Sequence, residues 1–570
     1  MDQSNMSLNA RRMFLSIAGL GSAAAVVGTA RNALATSSVE GTIPVARVTD
    51  FSTIQAAADS LTDGGILYFP EGTYPVASPI ALRSNTWACG AGPGSVLLCT
   101  GTSPAIFSST NVESIRISHL AFDVDANVDG VAAILFHNGS GPCSDLTIEK
   151  CTFFTTTPIS VGDVGYAVYV EGAAQVRVLE NTVFGLDIVA SDGTGGPGVT
   201  VKNNHVVEAS NHAIAVRGRS GDVLDSVVID GNLIESPGAM GIVVGSPIES
   251  DLLESVTSVS VRGNIVTGTI GGIGILARLA ETTTDLVVDG NIVSNDTVVA
   301  NSLGIRVSGD ATGSTVRGLT VRGNSVRIAD HAGITVAGSG SGVLICGNAV
   351  EGTRGISVAA TNSGLADVVV ANNVVRAAGV QGIRLGADLG DLRGVMVNGN
   401  QVLDTIGWSS LGIRLVAASG KTLSGDIRGN RCSDTKSTKT QFYGVGEEGA
   451  GTFDTRYLEN DLTDNLYGGF GAVNSAAAIE DNAGVITESR GIASIGTAGV
   501  ATITHGLAYA PAVSDISLSL AAPPASWTSS NAGQFWLVSA APTSFIVACS
   551  PLPLSGETVQ VTWQARIRTA

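Results

Sequence analysis

A six-residue phrase, apolar-x-x-Asn-x-apolar, returns every 22 to 33 residues through most of this 570-residue chain. It reads VKNNHV (Asn204), IDGNLI (Asn232), VRGNIV (Asn264), VDGNIV (Asn291), VRGNSV (Asn324), ICGNAV (Asn348), VANNVV (Asn373), VNGNQV (Asn400), IRGNRC (Asn430) and YLENDL (Asn460). Less regular copies, ISHLAF, IEKCTF and VLENTV, carry Leu120, Cys151 and Asn181 at the same place. Self-similarity at this period means stacked structural units that cannot bury their apolar faces alone.

Within each phrase, apolar and polar side chains alternate into a corner where Gly or Asn supplies the backbone freedom of a sharp turn. An Asn at the same corner of every coil can hydrogen-bond its neighbours above and below. Most coils carry a second strand of the form Gly-Ile, at Gly241-Ile242, Gly304-Ile305, Gly333-Ile334, Gly355-Ile356, Gly382-Ile383 and Gly412-Ile413. No amphipathic 3.6-residue pattern spans a period, which excludes helical repeats. The expectation is an all-β, right-handed parallel β-helix of about 12 coils, roughly 50 to 60 Å long at ~4.8 Å per coil.

Composition fits that expectation. A solenoid lengthens without enlarging its core, so 570 residues do not demand many domains. Gly is abundant at 72 residues and charged residues are only 14%, as buried parallel strands require. The net charge of −18 argues against nucleic acid and bilayer surfaces, and obliges an anionic substrate to find a locally basic groove. The seven cysteines show no zinc spacing, and their odd number implies at least one buried free thiol unless chains pair.

Residues 1–35 read as a targeting segment. Arg11-Arg12-Met13-Phe14-Leu15 resembles a twin-arginine export signal, and Ala33-Leu34-Ala35 a small-residue cleavage site. That places the mature protein in the periplasm or outside the cell, with no membrane span after cleavage. Residues 36–483 are then the solenoid. From 484 to 570 the repeat gives way to short period-two strands between Pro, Gly and Ser turns, a small β-sandwich suited to attachment, to oligomerisation as a homotrimer, or to capping.

The start of the solenoid carries a family resemblance. Phe51-Ser-Thr-Ile-Gln-Ala-Ala-Ala-Asp-Ser, then Gly64-Gly65-Ile-Leu-Tyr-Phe-Pro-Glu-Gly-Thr-Tyr-Pro-Val76, then Gly90-Ala-Gly92-Pro-Gly94, resemble the opening of the pectate-lyase-like β-helix superfamily. The layout is similar to twin-arginine-exported β-helix repeat proteins. The resemblance implies a short helix capping the first coil, where an open sheet edge would otherwise be sticky. It does not choose an activity, because the superfamily holds lyases, hydrolases, epimerases and tailspikes.

Aligning the Gly-Ile-type strands sets His137 over Glu171, with Arg217 beyond the next, Asp187-bearing coil; Tyr169 lies beside them, and Asp192 and His212 nearby. An acid, a base, a cation and an aromatic platform are the parts that cleave or bind a sugar chain. Lyase chemistry needs a base and cationic help at a sugar carboxylate, which His137 or Tyr169 with Arg217 would supply. Hydrolysis needs two carboxylates, for which Glu171 with Asp187 or Asp192 is the best pair. Outward positions are polar in any soluble solenoid, so a plain solvated face is the competing reading.

Two further groups stand out. Asp123, Asp125, Asn127 and Asp129 put oxygen ligands at every second residue, suited to calcium, but Gly130 lies eighth rather than sixth as in a calcium loop. A turn held by local hydrogen bonds accounts for them equally. Asn127-Val-Asp129-Gly130 also resembles a phrase of polygalacturonase-type hydrolases, whose Asp-Asp, Gly-His-Gly and Arg-Ile-Lys companions are missing. Arg384 and Arg414 share an outward position in adjacent coils, with Arg306 three coils earlier, a guanidinium series suited to binding uronate or sulfate, or to pairing with carboxylates. No motif requires a cofactor. The sequence reading is an exported polysaccharide-active protein, a lyase or a hydrolase; the alternative is a non-catalytic carbohydrate-binding or surface solenoid.

Overall fold

The structure, a computed structural model, describes residues 43–566 except 101–104, 125–129, 138, 140–142, 157–163, 194–196, 247–251, 270–271, 297–301, 310–312, 408–409, 474–477, 486–487, 508–510, 528–532 and 542–543. The twin-arginine segment, and Asp125, Asn127 and Asp129 of the acidic run, lie outside the described residues. The chain divides into two compact units, Met1–Val307 and Ser308–Ala570.

The first unit opens with the short helix Ile54–Asp59, whose N-terminus is capped by Thr53: its hydroxyl accepts from the Ala56 N–H at 3.0 Å. Ala57 and Ala58 are buried, and Gln55 ties the helix to the backbone of Ala81 through both ends of its amide. The strand Gly65–Phe69 follows, parallel to Val45–Arg47 on one side and Thr86–Gly90 on the other. Thereafter each strand pairs in parallel with its equivalent one coil later, as Ser144–Glu149 does with both Glu113–Ser118 and Ala174–Leu179. This is the right-handed parallel β-helix that the repeat implies. Phenylalanines stack inside the early coils: Phe122 lies parallel to Phe153 at 4.8 Å and meets Phe107 edge-on at 5.9 Å.

The Asn phrase does two things at once. The residue before the ladder position is left-handed: Gly231, Gly263 and Gly290 have φ of 66°, 62° and 64°, and Glu180 and Asn203 take 56° and 54° at some cost. That sharp corner turns the Asn side chain inward. In the first unit Asn181, Asn204, Asn232, Asn264 and Asn291 form a continuous ladder, each Oδ1 after the first accepting the backbone N–H and side-chain amide of the Asn one coil before, while Asn181 Oδ1 accepts the Cys151 N–H. The remaining amide hydrogen satisfies a strand carbonyl, as Asn232 does for Val201. In the second unit Asn324, Asn348, Asn373, Asn400, Asn430 and Asn460 repeat the pattern, and it runs one coil further, to Asn482.

The Gly-Ile glycines are required for a different reason. A side chain on Gly241 would strike the carbonyl of Gly274 at 2.5 Å, and one on Gly382 that of Gly412 at 2.7 Å. Glycine is thus stacked on glycine because the coil backbone passes too close for any Cβ.

From Glu488 the pairing turns antiparallel. Ile516–Ala522 and Glu488–Ile495 flank Val559–Arg566 in one sheet, and Val500–Thr504 and Gln534–Ala540 flank Ser544–Ser550 in another. Both sheets contribute to one core around Phe545, Val547, Val561 and Trp563. All seven cysteines are free, and all but Cys346 are buried. Burial raises the thiols of Cys89 and Cys151 to about 12, so they pack as small apolar groups.

Candidate functional site

Three consecutive strands of the first unit, Tyr166–Glu171, Asp187–Asp192 and His212–Val216, carry most of the predicted residues. In register, Tyr169 lies beside Val189, then Ala215, Val243 and Leu276 in later coils. Neighbouring Val168 and Val170 are fully buried while Tyr169 is not, so this column points outward. Outward side chains of a soluble solenoid are ordinarily polar, yet Val189, Ala215, Val243 and Leu276 form an apolar cluster covered by Tyr166, Tyr169, Met240 and Ile273. Tyr166 and Tyr169 meet edge-on with ring centroids 4.8 Å apart.

Polar groups border this patch on both sides. At the C-terminal end of the strands, the Tyr169 hydroxyl donates to Asp192 Oδ2, and Arg217 Nη2 donates to the same oxygen at 2.9 Å. The Arg217–Asp192 pair is mostly shielded, with side chains 15% and 13% exposed, so it is held more firmly than a surface pair. Glu171 stands in register with Asp192 and accepts from Arg219 Nη2 at 3.1 Å. His137, in register with Glu171 one coil earlier, is hydrogen-bonded to Thr110 Oγ1 at 2.8 Å.

At the other end, Asp187 is 1% exposed and accepts three hydrogen bonds from one turn: Ser210 Oγ, the Asn211 N–H and the His212 N–H, at 3.0 to 3.1 Å. Asp187 therefore anchors the turn that presents His212. Burial raises its carboxyl to about 7 against the opposing pull of those donors. His212 is 9% exposed, and burial, assisted by the charge of Arg217, lowers its imidazole to about 4; it is neutral at pH 7. Its Nδ1, and Nε of Arg217, are buried without a hydrogen-bond partner. Burial raises the Tyr169 phenol, as does its bond to Asp192. Burial raises Tyr166 too, with Arg217 pulling the other way.

The structure thus gathers Tyr169, Asp192 and Arg217 in direct contact, sets His212 and Asp187 on the opposite border, and leaves His137 and Glu171 on the flank with partners of their own. Tyr166, Met240, Ile273 and Arg219 also belong to the site. Their signal was available as large apolar residues and a second arginine at strand ends, but outward apolar positions are indistinguishable from core until register is known.

The remaining candidates are engaged differently. Arg384 and Arg414 are in register, but Arg384 pairs with Asp388, and Arg414 donates to Gln381 at 2.9 Å and pairs with Glu448. Arg306 is half-buried on the strand Leu303–Ser308. Asp123 is buried and accepts from the Thr156 N–H at 3.2 Å. Among the described residues, no group of three or more His, Cys, Asp or Glu gathers to hold a metal, and no helix is long and apolar enough to cross a membrane.

Comparison with solved structures gives distant likenesses. The catalytic unit of a GH87 α-1,3-glucanase from Streptomyces thermodiastaticus shares 15% identity over 77% of this chain and 70% of its own, with a TM-score of 0.37. The A-module of an Azotobacter vinelandii mannuronan C-5 epimerase shares 17% identity over 77% and 98%, with a TM-score of 0.29. A tailspike of E. coli bacteriophage HK620 shares 13% identity over 90% and 89%, with a TM-score of 0.40. The chain's own strand pairing makes the fold a right-handed parallel β-helix. No family model and no curated protein sequence matches the chain.

Proposed function

We propose that this protein acts on an acidic polysaccharide, abstracting a proton next to a sugar carboxylate in the manner of a lyase, at the patch formed by Tyr166, Tyr169, Asp192, His212 and Arg217. The observation that carries the reading is an outward apolar cluster, faced by two tyrosines, bordered by a neutral histidine and a shielded arginine that each keep a nitrogen unpartnered. Unsatisfied buried nitrogens cost about 1–3 kcal/mol each, a cost retained where a ligand or reaction uses the group.

The roles follow from the contacts. Sugar rings pack on Tyr166 and Tyr169. Arg217, oriented by Asp192, faces the carboxylate and stabilises the negative charge that develops when the adjacent carbon loses its proton. His212, neutral at pH 7, takes that proton; the carbon–hydrogen electrons form the new double bond, and the glycosidic oxygen leaves with a proton from Tyr166. Tyr169 is a donor to Asp192 and so helps to hold it rather than acting as base. Hydrolysis is less well supported. Asp187 is buried beneath a turn, Glu171 is paired with Arg219, and Asp192 is shared by Arg217 and Tyr169, so none of these three carboxylates stands free to act on a glycosidic bond.

Export to the periplasm or beyond, with the twin-arginine segment removed, belongs to the same proposal. The test is incubation of the mature protein with a panel of acidic and neutral polysaccharides, following unsaturated products and reducing ends separately. Unsaturated ends from an acidic polymer, abolished in His212→Ala, are expected. Reducing ends without unsaturation would overturn the lyase reading in favour of hydrolysis, and silence across the panel would favour a binding protein.

A further inference from the structure

The C-terminal sandwich carries a second candidate site, unrelated to the chemistry above. On the outer face of its Glu488–Ile495, Val559–Arg566 and Ile516–Ala522 sheet lies a hollow of about 390 Å³, lined by Arg490, Ile492, Ser517, Ser519, Thr562 and Gln564. That volume is within the range of small-molecule sites, ~300–1,000 Å³.

Register explains why these six side chains share one face. Arg490, Gln564 and Ser517 form one cross-strand row, and Ile492, Thr562 and Ser519 the next but one along the strands. Between them runs the row of Gly491, Trp563 and Leu518, in which the Trp563 and Leu518 side chains pack with the core. With strands ~4.8 Å apart and ~3.4 Å per residue, the two outer rows frame a patch of about 10 by 7 Å, the footprint of one or two sugar rings.

The chemistry of the frame is selective. Arg490 is exposed and, among the described residues, makes no ion pair or side-chain hydrogen bond, although its charge acts on the nearby Glu488, which is bonded by Gln564 and by Arg566, at 3.2 Å. In a chain of net charge −18, an uncommitted guanidinium inside a hollow is a site for a carboxylate. The Thr562 hydroxyl donates to the Ser519 carbonyl and bonds the Ser519 hydroxyl, and the Ser517 hydroxyl donates to the Gln564 carbonyl, so all three keep acceptor capacity toward a ligand's hydroxyl groups. Ile492, 65% exposed, offers an apolar wall against which the C–H face of a sugar ring packs.

We propose that this face is an acidic-saccharide binding site, with Arg490 on the carboxylate, Ser517, Ser519, Thr562 and Gln564 on hydroxyl groups, and Ile492 under the ring. The sandwich would then hold the polymer independently of the solenoid patch.

The experiment is calorimetric titration of the full mature protein with oligogalacturonate and with neutral gluco-oligosaccharides of equal length, in the His212→Ala, Arg217→Ala background so that neither turnover nor carboxylate binding at the solenoid patch interferes. The expected result is oligogalacturonate binding weakened at least tenfold by Arg490→Gln and several-fold by Thr562→Val, with no binding of the neutral oligomers. Arg490 is exposed and unpaired, so its variant should retain the parent melting temperature. Unchanged binding in Arg490→Gln would overturn the proposal. So would competition by acetate at the same carboxylate concentration, which would mark a simple anion site, or equal binding of neutral oligomers. Because binding is read here and turnover at the solenoid patch, failure of one site leaves the other interpretable.

Discussion

Truncating one rung of the asparagine ladder tests the physical account of the fold most sharply. Asn264 Oδ1 accepts from the Asn232 N–H at 3.0 Å and from its side-chain amide at 2.9 Å, while Asn264 Nδ2 donates to the Ile229 carbonyl and to Asn291 Oδ1, both at 3.0 Å. In Asn264→Ala the Asn291 oxygen keeps the Asn264 N–H, but two buried donors of Asn232 lose the oxygen they share. At about 1–3 kcal/mol for each stranded donor, the loss is about 2–6 kcal/mol. The neighbouring Ile265, 37% exposed at the same corner, is the control, and Ile265→Ala should cost about 1 kcal/mol or less. A solenoid unfolds by coils rather than all at once, so the assay is native-state hydrogen exchange of the amides in residues 229–266, supported by urea denaturation. Asn264→Ala should speed exchange throughout that segment. Equal effects of the two variants would refute the ladder as a source of stability.

Further outcomes follow from the same contacts. The His212 imidazole is lowered to about 4, so its contribution to stability is full above its unfolded value near 6.5 and is lost as pH falls through 4; the Asp187 carboxyl is raised to about 7, so its contribution is full below 3.8 and is lost as pH rises through 7. The two slopes oppose each other between pH 4 and 6.5, each worth about 3–4 kcal/mol at most by ~1.4 kcal/mol per pH unit. Relative to the parent, His212→Gln should lose stability with rising pH and Asp187→Asn should gain it; melting curves across that range that parallel the parent would contradict both assignments. Gly382→Ala would place a Cβ 2.0 Å from Val402 Cγ1, and overpacking of about 1–3 kcal/mol should appear as a lower denaturation midpoint, an unchanged midpoint arguing against the close backbone approach. Thiol titration should find seven free cysteines after unfolding and at most slow reaction at Cys346 before it, whereas fewer than seven would reveal a disulfide.

The fold was legible because the repeat repeats its physics. Asn232, Asn264 and Asn400 each occur in the same phrase since each must meet an identical neighbour, and the ladder hydrogen bonds are the reason the phrase cannot drift. The glycine of the Gly-Ile strands was visible but its cause was not: its backbone is pressed on the next coil, a fact of stacking rather than of turn geometry. The site was half legible. His137, Glu171 and Arg217 could be aligned by counting along strands, with Tyr169 beside them and Asp192 only nearby, but a β-bulge between Tyr169 and Glu171 decides that Glu171 faces Asp192. The sequence also offers no sign that Asp187 is buried under the His212 turn, since that contact joins residues 23 to 25 apart through a coil of irregular length. Asn482 went unread because IEDNAG lacks the apolar residue that closes the phrase, although its Asn serves the ladder as the others do.

The central claim is that His212 removes a proton beside a sugar carboxylate held by Arg217. It is tested most directly by incubating the mature protein with acidic polysaccharide in heavy water and following the sugar carbons by NMR. The account predicts unsaturated ends, or deuterium at the carbon bearing the carboxylate, both lost in His212→Ala and in Arg217→Ala while Glu171→Gln retains them. Chain cleavage with neither signal, or full activity without His212, would contradict it.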